Sequence, residues 1–230
     1  GYYKDMRNVL EYKDGVSFFG SSSGWENKVE MGKGRSAGIE FMAQKTAGKT
    51  TGWLSYTLSK SDRKFTKGGI NNGEWFPYKY DRRHSINLTI NHKFSDRIDI
   101  GASWVFYTGG TSTIPEEKTT VIRPHNGANN GFLWYGTYDN TNSSPTIGDV
   151  SYIEHRNNFR LPASHRLNLG VNFNKKTKHG MRTWNISLYN AYNAMNPAWV
   201  YRGHNKQGLS VIKKYTLLPL IPSFTYTYKF

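Results

Sequence analysis

The chain contains no cysteine, which excludes disulfide scaffolds, thiolate metal sites and cysteine nucleophiles together. No stretch approaches the ~18 consecutive apolar residues of a membrane-spanning helix, and apolar residues at helical spacing are nearly missing. The opening Gly1-Tyr2-Tyr3-Lys4-Asp5 has neither the basic region nor the apolar core of a signal peptide. It also lacks a starting Met, so the sequence reads as a processed product or a fragment. Acidic residues are scarce: 16 Asp plus Glu against 31 Lys plus Arg leave a formal charge of +15. None follows Glu154, whereas 12 Lys plus Arg do. Catalytic signatures are lacking too. The 7 His (84, 92, 125, 155, 165, 179 and 204) are scattered without ligand spacing, and no Gly-x-Ser-x-Gly elbow or phosphate-binding loop occurs. The Gly pair in Tyr107-Thr108-Gly109-Gly110 reads as a strand running into a flexible loop. Neither an enzyme nor a cofactor or metal is expected.

What is present is aromatic surface and alternation. Aromatic residues make up 15% of the chain, which argues against a disordered polar chain. A period of two recurs in seven segments: Ile39 and Phe41; Leu54, Tyr56 and Leu58; Ile86, Leu88 and Ile90; Ile100, Ala102, Trp104 and Phe106; Leu167, Leu169, Val171 and Phe173; Trp184, Ile186 and Leu188; and Phe224, Tyr226, Tyr228 and Phe230. A weaker eighth begins at Tyr2. The expected fold class is all-β and antiparallel.

Connections alternate between tight turns, at 47–49, 95–97 and 176–180, and long links at roughly 7–34, 65–78, 109–161 and 193–219. The third link is far longer than a loop in a compact soluble domain. Short turns at one end and long loops at the other mark an outer-membrane barrel. The polar face is Ser, Thr, Asn and Gly with few charges, as suits a lumen. The apolar face carries aromatics near strand ends (Tyr80, Phe94, Phe106, Phe173, Phe230), where interfacial girdles sit. A soluble β-sandwich is the alternative, in which a second sheet covers the apolar face. The terminal Phe224-x-Tyr226-x-Tyr228-x-Phe230 has the form of the C-terminal signal for outer-membrane insertion. With Phe230 in the periplasm, the tight turns are periplasmic and the long links face outside.

Six stretches carry a family resemblance: Lys33-Gly34-Arg35-Ser36-Ala37-Gly38-Ile39-Glu40, Gly52-Trp53-Leu54-Ser55-Tyr56-Thr57-Leu58-Ser59, Tyr80-Asp81-Arg82-Arg83-His84, Leu161-Pro162-Ala163-Ser164-His165-Arg166-Leu167, Tyr189-Asn190-Ala191-Tyr192-Asn193, and Pro219-Leu220-Ile221-Pro222-Ser223-Phe224. In this order the chain resembles the late barrel of a TonB-dependent receptor, most similar to those of the Bacteroidetes type, over nearly its whole length. The resemblance implies the last ~8 strands of a barrel of about 22, residues 1–230 being that C-terminal segment, without the plug domain, the TonB box or the early strands. It implies multi-pass residence in the bacterial outer membrane and active transport of a nutrient such as a siderophore, glycan or peptide. The implied partners are the rest of the receptor, the TonB complex acting through the plug, lipopolysaccharide and outer-membrane lipids, and a surface lipoprotein. The rival reading is a complete eight-stranded barrel serving as an adhesin or structural protein.

Candidate ligand-contact or rim residues are Trp75, Asp81, Arg83, Trp134, Tyr135 and Tyr138. Alternation carried back from Ile86 puts Asp81 and Arg83 on the lumen side and Arg82 and His84 outward. Asp81 and Arg83 then either touch substrate near the mouth or form a structural ion pair, and the second reading is favoured. Phe132, Trp134, Tyr135 and Tyr138 lie among Asn and Asp in the long loop, where aromatic faces suit sugars, peptides or siderophores as well as packing of the loop on itself. Nucleic acid is not expected despite the charge, because no recognition module occurs and the cations sit at turns and loop bases; anionic lipid head groups fit them better.

Overall fold

A computed structural model describes residues 1–14, 24–66, 69–123 and 146–230, with the backbone alone for 117–123 and 146–151. Eight long strands make one antiparallel sheet: β1 (Tyr2–Tyr12), β2 (Val29–Lys45), β3 (Thr50–Lys64), β4 (His84–Lys93), β5 (Ile98–Tyr107), β6 (Ser164–Thr177), β7 (Gly180–Tyr189) and β8 (Ile221–Lys229). Each strand pairs only with its neighbours in chain order, and the short strand Phe76–Pro77 joins the far end of β3. The tight turns suit their residues. Gly48 takes φ +92° between β2 and β3, a backbone region open to glycine. The Ser95 hydroxyl accepts the backbone N–H groups of Arg97 and Ile98 between β4 and β5.

Register sorts the side chains onto two chemically distinct faces. One row runs Ala43, Leu54, Leu88, Trp104, Leu167, and another runs Ile90, Ala102, Leu169, Leu188. A third runs Ile100, Val171, Ile186, Phe224. The opposite face carries Asp99, Asn172, Asn185 and Thr225 in one row. There the Asn172 and Asn174 amides both donate to Asp99, at 2.6 Å each. Asn185 donates to Asn172 and Thr183 to Asn174, at 2.7 Å each. The polar face is therefore tied together across β5, β6 and β7.

The apolar face is not covered. Ile39 is 65% exposed, Phe41 57% and Phe224 71%. Among the described residues the buried apolar side chains are Phe65, Ile70, Phe76 and Ile114, and none belongs to that face. Phe65, Ile70 and Phe76, with Val9 against them, form a small cluster at the end where the long links gather. Arg156 fastens it: its guanidinium meets Glu11 at 3.2 Å and Asp14 at 2.9 Å, and its backbone N–H donates to Asn71 at 2.6 Å. No second layer packs on the sheet among the described residues, unlike the sandwich alternative. Nor does the sheet close: β1 pairs with β2 alone and β8 with β7 alone, so the eight strands do not form the barrel of the rival reading.

Several links hold more structure than expected. The link near 7–34 is shorter, because β1 runs to Tyr12 and β2 begins at Val29. Segment 109–161, read as one loop, contains a ladder between Glu117–Arg123 and Thr146–Tyr152, and a short one between Thr111–Ser112 and Phe159–Arg160. Segment 193–219 contains a hairpin of Pro197–His204 with Ser210–Thr216. Its Trp199 and Tyr215 rings stack 4.3 Å apart, and the Asn205 side chain closes its turn.

Candidate functional site

The predicted pair Asp81 and Arg83 meets a third partner from far along the chain. Asp81 has no exposed side-chain surface. Its Oδ1 accepts the backbone N–H of Ser61 at 2.7 Å, and its Oδ2 accepts Arg160 at 2.5 Å and Arg83 at 3.1 Å. Arg160 also donates to the carbonyls of Asp81 (2.7 Å) and Gly109 (2.8 Å). Both oxygens of this buried carboxylate are thus engaged from within the chain. The cluster ties the entry to β4 to the exit of β5 and the return to β6.

Trp75 stands elsewhere. Its ring stacks on the Arg35 guanidinium, 4.3 Å from the centroid, while Arg35 grips Asp62 through two nitrogens at 3.1 and 3.0 Å. By register Arg35 and Asp62 share the face of Ile39 and Leu58. Trp134, Tyr135 and Tyr138 lie outside the described residues. Phe224, Tyr226 and Tyr228 line the apolar face of the edge strand β8, with Tyr226 packed on Trp184 at 4.8 Å.

The clearest concave site was not anticipated. A cleft of about 470 Å³ lies at the long-link end, between the entry to β4, the exit of β5, the lead into β6 and the hairpin 197–216. Lys79, Tyr80, Arg82, Tyr107, Leu161 and Trp199 line it, and no carboxylate does. That volume lies within the range of small-molecule sites. Arg82 stacks on the Tyr107 ring at 3.9 Å. Tyr107 pairs with Ser85, a polar-face position, so Arg82 is not outward. Alternation fails there because β4 begins only at His84; His84 itself does stand on the apolar face, hydrogen-bonded to Tyr56 at 2.9 Å. The glycine pair is also a packing device. A Cβ on Gly110 would come within 2.6 Å of the Lys79 carbonyl, and one on Gly109 would strike Leu161. Thr111 donates to Lys79 and Leu161 to Gly110 across this floor, at 3.0 and 2.9 Å. Two cations beside exposed rings, without a carboxylate, suit a solute bearing anionic or hydroxyl-rich groups and a flat apolar surface.

Comparison with known protein families and with curated proteins finds no match to this chain.

Proposed function

We propose that this chain forms the C-terminal part of the wall of an outer-membrane β-barrel transporter of the TonB-dependent type. It takes part in uptake of a nutrient and has no catalytic role. The apolar face of the sheet meets lipid and the polar face meets the lumen. The end holding the cleft and the hairpin 197–216 opens to the outside.

The observation that carries this reading is the uncovered apolar face of a single meander sheet. In water such a face costs about 25 cal/mol per Å²; in hydrocarbon it costs nothing. Strands of 17 and 15 residues in β2 and β3 exceed the 9–11 residues or so that cross a bilayer. Unpaired β1 and β8 edges cannot persist at membrane depth, since each orphan N–H or C=O costs several kcal/mol there. Further strands of the same barrel therefore pair with both edges, and the polar face turns toward the plug that TonB remodels. The cleft is then a rim site that solutes meet on the way in.

Fractionation tests this reading. The protein is expected in the outer-membrane fraction, resistant to carbonate extraction, with electrophoretic mobility that changes on boiling, as barrels show. Recovery as a soluble monomer with unchanged mobility would sink it.

A further inference from the structure

The cleft at the long-link end carries charge without a counter-charge. Lys79 and Arg82 line it, and among the described residues neither forms an ion pair. The carboxylate next in sequence, Asp81, is buried and turned to Arg83 and Arg160. Arg82 lays its guanidinium on the Tyr107 ring, 3.9 Å from the centroid, and stays exposed. Its N–H edge is therefore open to an oxyanion, which a guanidinium takes up through two parallel bonds. The backbone beneath is fixed. The Ser59 hydroxyl donates to the Arg82 carbonyl at 2.8 Å, and the Ser59 N–H to the Arg83 carbonyl at 3.0 Å.

Hydroxyls and open rings complete the lining. Ser164 shares a row with Tyr107 on the polar face, so the cleft adjoins that face. Among the described residues neither Ser164 nor Ser112, also in the lining, has a hydrogen-bond partner for its hydroxyl. A serine hydroxyl both donates and accepts, as a sugar hydroxyl does. Two rings remain open, Tyr80 at 63% and Trp199 at 49% exposure. Tyr215 backs Trp199 with the ring planes 8° apart. The hairpin that carries this ring is anchored at both stems. Buried Asn190 donates to the carbonyls of Ala194 and Leu218, at 3.0 and 3.1 Å, and Arg202 donates to the Glu116 carbonyl at 3.0 Å. A ring held in place beforehand loses little freedom when a ligand arrives.

Resting on the transport reading above, we infer that this cleft binds an acidic sugar, a hydroxylated ring carrying a carboxylate or sulfate, as part of the solute taken up. Each portion of the lining selects one portion of the ligand. Lys79 and Arg82 select an anion. A free amino group would find no carboxylate in the cleft, which counts against peptides. The faces of Tyr80 and Trp199 suit the C–H face of a sugar ring. Ser112 and Ser164 match hydroxyls, which a purely aromatic acid does not supply. A volume of about 470 Å³ holds a short stretch of saccharide and lies toward the lower end for small-molecule sites.

The test is titration calorimetry on the protein extracted from outer membranes in a sugar-free detergent. The wild type should bind a uronic acid disaccharide roughly tenfold to a hundredfold more tightly than its methyl ester, the ratio that a charge-assisted hydrogen bond supplies. The combined Lys79→Gln and Arg82→Gln variant should erase most of that ratio by weakening the acid alone. Trp199→Ala should weaken acid and ester alike, by roughly tenfold. Lys206→Ala, in the hairpin turn and outside the cleft, should bind as the wild type does. A sulfated disaccharide separates the two sources of charge: whichever of sulfate and uronate binds more tightly is the group recognised. Equal affinity for acid and ester, an unchanged ratio in the double variant, or no binding of either acid would overturn the site. So would tighter binding of benzoate than of the uronic acid, since hydroxyls would then count for nothing. Any of these results with protein recovered from the outer membrane leaves the membrane reading standing. Recovery as a soluble protein would overturn that reading, while selectivity for the acid would still belong to the cleft.

Discussion

Arg160 donates to Asp81 across 79 residues of chain, at 2.5 Å, and the same guanidinium caps the carbonyls of Asp81 and Gly109. One side chain therefore holds the starts and ends of three strands at the rim where the cleft lies.

Removing the carboxylate should loosen that rim. Asp81→Ala leaves two guanidiniums and the Ser61 N–H without their acceptor, and the expected loss is about 3 kcal/mol. Asp81→Asn keeps an acceptor for Ser61 and should cost less. Hydrogen exchange across 76–84 and 107–112 measures both; unchanged protection in Asp81→Ala would show that the knot is not needed.

The two faces should respond differently to charge. Leu88→Arg or Leu169→Arg, in the apolar rows, should cost about 2–4 kcal/mol near the bilayer midplane, while Asn87→Arg on the polar face should be mild. Unfolding in urea from lipid vesicles reads the difference. Equal costs would mean that both faces meet the same medium.

Asp99 anchors the amide ladder of the polar face. Asp99→Ala leaves Asn172 and Asn174 without their shared acceptor, at an expected cost of about 1–3 kcal/mol. Because Asn174 still accepts from Thr183 and Asn172 from Asn185, the double variant Asp99→Ala, Asn172→Ala should cost less than the two single costs added. Additivity within error would deny the coupling.

The chain has no cysteine, so single cysteines report topology without background. Lys206→Cys, in the turn of the hairpin 197–216, should react with a membrane-impermeant maleimide on intact cells. Asp96→Cys and Lys178→Cys, in the tight turns, should react only after lysis. Labelling of the tight turns on intact cells would reverse the orientation.

Much of the sheet was legible because alternation is a local signal. Segments such as Ile86, Leu88, Ile90 and Leu167, Leu169, Val171 read directly as half-buried strands. The lower-contrast start of β2 was not. Val29 to Arg35 mixes charges with Gly32 and Gly34, which are there because the Phe65 ring and the Arg63 guanidinium cross them. The hairpin 197–216 was missed for another reason: much of it is exposed on both faces, so its pattern carries no apolar stripe. The cleft was beyond reach, since it gathers Lys79, Arg82, Leu161 and Trp199 from three separate connections and Tyr107 from the end of β5. Asp81 and Arg83 were found as a charged cluster, but nothing local could point to Arg160.

Because every long strand bonds only to the strand before and after it in the chain, the hairpin is the natural unit by which such a wall grows. Duplicating or deleting two adjacent strands would change the width of the sheet and leave every remaining pairing intact. The tight turns constrain such events to preserve register, whereas the long links at the other end leave sequence free to vary. In the barrel proposed above, a wall built this way would keep one geometry toward lipid while its rim is rewritten for new solutes.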